Sequence, residues 1–386
     1  VNDLAAHYSR FRVGERLLLT GHSHQAWPDV ALDGQIEAFT DAASTVDQKW
    51  ARAFVKADEV RAWYRVLLDD PTGDIALGVN THELVVRFLS ALDLGSRPRL
   101  VTTDGEFHTL RRQLARLAEE SVEVVVVAAQ PADTLAERLV SEVDERTAAV
   151  LVSSVLFETS RIVPDLGALG PACADLGAEV LIDAYHALGV VPMSLRDQGL
   201  TDAWVVGGGY KYLQLGEGNC FLRLPPHAQR LRPVITGWFA EFDGLADETD
   251  PARITYAPGG TRFAGSTYDP TSHYRAARVI GFFADHGLTA DVLRETSQRQ
   301  TTLLATAFDD LALPDAIATR DRDTPRSAFG GFLAIRTPRA GEYQRALAER
   351  GVRTDSRGEH LRFGPAPYLR DDQLRAAMAA LGEVSA

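Results

Sequence analysis

Residues 201–224 read TDAWVVGGGYKYLQLGEGNCFLRL: an apolar run, three glycines, Tyr210-Lys211-Tyr212, a Gly216-Glu217-Gly218 turn and a second apolar run. No helical pattern separates the two runs, so the second is expected to be a strand lying antiparallel to its neighbours. Lys211 is one of only three lysines among 40 basic residues. The other two, Lys49 and Lys56, fall in an amphipathic helical pattern over residues 46–68, where an ammonium on a solvated face needs no explanation. A desolvated amine can lose its proton and form an imine with a carbonyl, whereas a guanidinium stays protonated. Lys211 is therefore either a candidate nucleophile or simply a lysine in an exposed turn.

Upstream of this stretch, short β-rich runs alternate with helical patterns. The runs are 74–79, 98–103, 122–129, 148–155 and 178–184, followed by 202–207 and 219–224. In the segment 82–94, Leu84, Val85, Phe88, Leu89 and Leu92 share one helical face. Such alternation predicts an α/β fold with a largely parallel sheet covered on both sides. After about residue 270 the pattern changes to longer helices (273–287, 290–309) and a few short strands in 330–337 and 360–364, a smaller α+β domain. The expected division is an N-terminal segment 1–35 packed on the small domain and the substrate site, a large domain 36–268 and a C-terminal domain 269–386.

Composition limits the functional classes. With 45% hydrophobic and 24% charged residues the chain is that of a soluble globular protein. Its net charge of −13 disfavours general nucleic-acid binding, and no apolar run approaches the ~20 residues of a membrane span. The first residues lack a secretory pattern. Cys173 and Cys220 sit in an apparent helix and an apparent strand, as small buried hydrophobes in a reducing compartment. A cytoplasmic protein with no membrane or nucleic-acid partner is expected.

Ligands of open α/β sheets bind beyond the carboxyl ends of the strands, so the polar residues just after each run are the candidates. Gly78-Val79-Asn80-Thr81-His82 opens a helix: Asn80 or Thr81 can cap it, and its first-turn N–H groups can hold an anion. Phe107 follows the second run, as a core aromatic or as a stacking face. Asp183 ends the fifth run, with His186 three residues on. A carboxylate there must pair with something, and a protonated pyridine nitrogen is one candidate; capping the next helix is the other. Arg262 to Thr267 form a small polar turn suited to phosphate oxygens. Arg362 lies in a short apolar strand and needs an anion, which a substrate carboxylate would supply through two parallel hydrogen bonds.

The order of these features resembles the fold-type I pyridoxal-phosphate enzymes, in the aminotransferase class V branch, and within it the kynureninases. The resemblance runs from about residue 16 to about 380 and is most specific at Asp183-Ala184-Tyr185-His186-Ala187-Leu188-Gly189-Val190-Val191-Pro192 and at Tyr210-Lys211-Tyr212-Leu213 with Gly216-Glu217-Gly218. Arg362-Phe363-Gly364-Pro365 through Tyr368 is similar to the family's carboxylate-binding segment. The resemblance implies a seven-stranded mostly parallel sheet and a pyridoxal 5'-phosphate cofactor held by Lys211. It implies Asp183 on the pyridine nitrogen and Phe107 and His186 against the ring. Asn80, Thr81, His82 and Tyr210 would surround the phosphate. Trp238, Ser266 and Thr267 would complete that site from the neighbouring subunit of a homodimer.

Departures from the family fall at the substrate end. Gly21-His22-Ser23-His24-Gln25-Ala26-Trp27-Pro28 replaces a smoother family segment, and Phe157-Glu158-Thr159-Ser160-Arg161 replaces one with an asparagine near the cofactor. His22 and His24 are therefore expected to contact a more polar substrate than kynurenine, although alternating histidines also admit a shared metal. The expected activity is cleavage or elimination at the β side chain of an α-amino acid whose amine displaces Lys211. Class V transamination of a small amino acid is the alternative. Less favoured are cysteine desulfuration or carbon–sulfur cleavage, since no cysteine follows Cys220, and a non-catalytic cofactor-binding protein.

Overall fold

The structure, a computed structural model, describes residues 3–244 and 253–385. Seven strands form one sheet: β1 Asp74–Gly78, β2 Arg99–Thr103, β3 Glu123–Val127, β4 Thr147–Ser153, β5 Glu179–Asp183, β6 Trp204–Gly208 and β7 Cys220–Leu224. Their spatial order is β1-β7-β6-β5-β4-β2-β3. β7 runs antiparallel to both neighbours and all other pairings are parallel, as the missing crossover helix between β6 and β7 requires.

Alternate residues of each central strand bury on opposite faces. Val150 and Val152 of β4 join one apolar core while Ala149 and Leu151 join the other, and every residue of β4 is buried. That is why the strands appear in the sequence as continuous apolar runs. Trp204 and Phe88 are fully buried in contact with each other; a buried side chain such as Phe88 contributes roughly 2 kcal/mol. The helices are α1 Val30–Thr45, α2 Lys49–Leu67, α3 Thr81–Ser90, α4 His108–Ala118, α5 Leu135–Ser141 and α6 Leu169–Leu176, followed by α7 Thr271–Asp285, α8 Ala290–Asp309, α9 Ala340–Glu349 and α10 Asp371–Ser385. Among the described helices, none is long and apolar enough to cross a membrane.

A second sheet, β8 Leu333–Arg336, β9 Asp355–Arg357 and β10 His360–Phe363, is antiparallel in the order β9-β10-β8. The N-terminal residues lie beside it: Leu17–Leu18 pairs in parallel with Val352–Arg353 as a separate two-stranded sheet, and Thr20 bridges Gly364. Gln373 of α10 donates to the carbonyls of Val13 and Arg16. The expected end of the N-terminal segment at residue 35 falls inside α1, which packs along α7.

This arrangement gathers polar residues at one edge of the large sheet. Thr103, Ser153, Asp183 and Gly208 end β2, β4, β5 and β6, and Ser153 pairs in register with Asp183. The Lys211 turn follows β6 at the same edge.

Candidate active site

Lys211 is 6% exposed. Its Nζ lies 2.7 Å from Nε2 of His186 and 4.6 Å from the centre of the Tyr185 ring, with Phe107 at 5.5 Å and Tyr210 at 5.9 Å. Burial pulls its pKa down to about 7; Asp183 opposes the shift and Arg362 adds to it. The exposed-turn alternative is thereby excluded: the amine is held, desolvated and ready to lose its proton. Small residues make room for it. A methyl group on Gly208 would overlap the Tyr185 hydroxyl and the Cys220 sulfur.

Asp183 accepts a 2.8 Å hydrogen bond from the Tyr185 N–H through Oδ1. Residues 185–190 form turns and no regular helix, so the carboxylate caps a turn, not a helix. Among the described residues no hydrogen bond reaches its other oxygen. Burial raises its pKa, partly offset by the Tyr185 N–H and by Lys211. A carboxylate in that state has capacity for a cation. His186 is neutral, held well below its usual pKa by burial and then by Lys211. Its Nδ1 is buried with no partner among the described residues.

The remaining expected residues divide into groups. Phe107 is half-buried, caps α4 and meets Phe157 edge-on at 5.4 Å. Asn80 caps α3 by accepting from Glu83 N–H, and the Thr81 N–H reaches the Cys220 thiol, which lies 3.6 Å from the Tyr185 hydroxyl. His82 is exposed in the same turn. Tyr210 packs on Tyr185 at 4.8 Å. Contacts run from the α3 N-terminus through Cys220 and Tyr185 to Lys211. Trp238, Ser266 and Thr267 do not join them within one chain. Ser266 and Thr267 line a cavity of about 610 Å³ that borders the α3 N-terminus at Gly78, Val79 and Glu83, with Arg61 and Arg87 also on its wall. Trp238 is 44% exposed and packs on Phe239 and Phe242.

The two histidines part company. His22 is fully buried, 2.9 Å from Asp355 and tilted against Phe332 at 4.6 Å, whereas the side chain of His24 is 61% exposed and stacks on Tyr210 at 4.7 Å. Burial depresses His22 to a pKa of about 4, against the pull of its bond to Asp355. Arg362 has its expected anion inside the protein. Nε and Nη2 donate to the two oxygens of Asp355 at 2.8 and 2.6 Å, and Nη1 donates to the carbonyl of Phe157. Burial works to raise the Asp355 pKa, but His22 and Arg362 hold it well below the usual carboxylate range. Arg161 carries its charge away from the site, to Asp133 at 2.7 Å and to Thr324.

Two participants had no assignment from sequence. Asp355 could have been found from the hairpin turn at Gly358, which sets Asp355 directly opposite Arg362. Glu106 is 1% exposed beneath Asp183 and accepts from Thr103 Oγ1, Ser153 N–H and Ser153 Oγ. Burial raises it to a pKa of about 7. Nothing in its local sequence separates it from an exposed turn acid.

This geometry suits pyridoxal phosphate. A desolvated amine, a carboxylate with a free oxygen, an aromatic face and a helix N-terminus gather at one sheet edge, groups whose chemistry matches the aldehyde, pyridine nitrogen, ring and phosphate. Comparison with known proteins agrees. The chain is 24% identical over 410 residues to kynureninase of Pseudomonas fluorescens, covering 99% of this chain and 92% of that one. It is 22% identical to the uncharacterized aminotransferase YcbU of Bacillus subtilis (strain 168), covering 89% of this chain and 88% of that one. A solved structure of a C-DES mutant with glycine covalently linked to the PLP cofactor superposes with a TM-score of 0.83 at 15% identity, covering 98% of this chain and 99% of that one. No protein-family model matches the chain.

The chain is a class V aminotransferase-like enzyme of fold type I. For this class V aminotransferase-like enzyme, the likeness to the cysteine desulfurase of Thermococcus onnurineus NA1 supports the fold alone, with a TM-score of 0.78 at 15% identity over 99% of this chain and 97% of that one.

Proposed function

We propose that the protein binds pyridoxal phosphate at Lys211 and catalyses kynureninase-like cleavage or elimination at the β side chain of an α-amino acid other than kynurenine. The observation that carries this is the Lys211 amine, buried at 2.7 Å from a neutral imidazole and beside a carboxylate that has an oxygen to spare. When bound, the cofactor supplies an aldehyde for the substrate amine and an electron sink for charge at Cα.

The chain's own residues do the rest. Asp183 keeps the pyridine nitrogen protonated, since an adjacent carboxylate favours the charged form. Phe107 and His186 would pack against the cofactor's ring, and Thr81, His82 and Tyr210 would bind its phosphate. Lys211, as a neutral amine, would be the base for the substrate's Cα proton. The substrate carboxylate goes to Arg362. Transamination is the second reading, favoured by the likeness to YcbU; the residues named would serve it equally. We assign Trp238, Ser266 and Thr267 to the phosphate of a second subunit. The exposed apolar residues Val234, Ile235 and Trp238 fit a face covered by another copy of the chain.

The test is direct. Purified protein supplied with pyridoxal phosphate should turn yellow, lose the colour on borohydride reduction, and fail to develop it as Lys211→Ala. Protein that stays colourless with added cofactor would end the proposal. An amino-acid panel then separates the two chemistries: transamination leaves a keto acid and the pyridoxamine form of the cofactor, whereas cleavage releases the side chain.

A further inference from the structure

The turn that carries Lys211 is closed on itself by two backbone hydrogen bonds: Gln214 N–H donates to the Lys211 carbonyl at 3.3 Å and Leu215 N–H to the Gly209 carbonyl at 2.9 Å. Gln214 reverses the chain there with a φ of +59°. Seven residues other than glycine have positive φ among the described residues, and only Ser160 and Gln214 of these are buried, both completely. Glycine adopts such a backbone freely, whereas a residue with a Cβ is strained in it. A glutamine buried at that position also needs partners for its amide.

Both ends of that amide are bonded to the first residues of the chain. Oε1 accepts from the Tyr8 hydroxyl at 2.5 Å, and Nε2 donates to Oε1 of Gln25 at 2.8 Å. The two anchors are themselves fixed. The Tyr8 ring is fully buried against Tyr368 at 4.7 Å, and the Tyr368 hydroxyl accepts from N–H of Ala26, next to Gln25, at 3.0 Å. Gln214 thus ties the Lys211 turn to residues 206 and 189 positions earlier. The Lys211 amine makes one hydrogen bond, to His186, among the described residues. Where that amine points therefore depends on how the turn is held.

We propose that Gln214 is a positioning residue: it clamps the Lys211 turn to Tyr8 and Gln25, so that the N-terminal segment keeps the amine desolvated against His186. This inference rests on Lys211 being the reactive amine of the proposed function. It gives Tyr8 and Gln25 a part in the chemistry through the turn they hold.

The scarcity of lysine makes the test clean. Trace acylation of cofactor-free protein with acetic anhydride, mapped by peptide mass, reads Lys211 with Lys49 and Lys56 as internal references. Burial pulls the Lys211 pKa down to about 7, so its labelling in the wild type should rise through that pH. Gln214→Gly suits the left-handed backbone and removes the amide, whereas Tyr8→Phe keeps the ring and removes only the hydroxyl. Each should let water reach the amine and move the Lys211 midpoint up by about one pH unit or more, toward the ordinary ~10.4. Asp183, His186, Cys220, His22, Asp355 and Arg362 act on that amine, and neither variant alters them. The double variant should shift the midpoint no further than Gln214→Gly alone, because Tyr8 acts through the amide. An unmoved midpoint in Tyr8→Phe, whatever its melting temperature, means that the contact only stabilises the fold and overturns the proposal, as do additive shifts. If Gln214→Gly fails to fold, Tyr8→Phe decides alone. Colour with pyridoxal phosphate is scored separately, so a colourless wild type refutes the cofactor reading while the labelling profile still judges Gln214.

Discussion

Nζ of Lys211 lies 2.7 Å from Nε2 of His186 while Nδ1 of the same imidazole is buried without a partner among the described residues. Nε2 therefore carries the contact with Lys211, and Nδ1 is left as an unspent polar group inside the site. Burial brings the amine to a pKa of about 7, with Asp183 limiting the shift. Capture of pyridoxal phosphate by cofactor-free protein should therefore accelerate as pH rises through about 7 and then level off. An ordinary lysine, near ~10.4, would keep the rate climbing far beyond that. Stopped-flow absorbance across the pH range distinguishes the two profiles.

Asp183→Asn should retain cofactor but lower turnover by about 100-fold or more, because a neutral amide no longer holds the ring nitrogen in its charged form. Bound cofactor and single-turnover rate are the paired measurements. Activity within a few-fold of wild type would place the ring elsewhere.

His22 and His24 should respond differently to alanine. His22→Ala removes a fully buried ring and strips Asp355 of a donor, so stability should fall by about 1–3 kcal/mol. His24→Ala, on a largely exposed residue stacked on Tyr210, should change stability by less than about 0.5 kcal/mol. Denaturant unfolding gives both values. Turnover per folded molecule then tells whether His24 meets the substrate.

Glu106→Gln tests the buried acid beneath Asp183. The folded protein raises Glu106 from 4.5 to about 7, so it favours the neutral form. That contribution to stability is complete below about pH 4.5 and is lost as pH rises through about 7. The glutamine variant stays neutral throughout. The difference in melting temperature between wild type and variant should therefore move in the variant's favour across that window, and a difference independent of pH would show that Glu106 ionises normally.

Cofactor and self-association should be linked if Ser266 and Thr267 serve a partner's phosphate. Sedimentation should find the dimer weakened on cofactor removal, and dilution should speed cofactor loss. A monomer that keeps its cofactor at low concentration contradicts the shared site.

The large sheet was legible because its strands are buried on both faces: the run 178–184 contains β5 and 219–224 contains β7, each within a residue or two of its ends. Lys211, Asp183 and His186 were legible because strand ends and a scarce amine point to chemistry. Arg362 was found but its partner was not: a three-residue strand has no periodicity to mark Asp355, and only the register of the hairpin at Gly358 sets it opposite Arg362. Arg161 falls in a stretch that departs from the family pattern near the cofactor, yet its side chain turns to Asp133, a contact between distant segments that no local pattern encodes.

The antiparallel β7 carries a consequence for assembly. β1 pairs only with β7, Gly78 meeting Cys220 across the whole length of the large sheet's sequence. While the chain is being synthesised, β1 and the α3 turn behind it have no strand to dock against until the residues past Lys211 have emerged. Such distant pairing is slow to close. The amine and the anion-binding turn are thus ordered in one late event, so a truncated or stalled chain would expose a bare strand edge and would lack both halves of the site together.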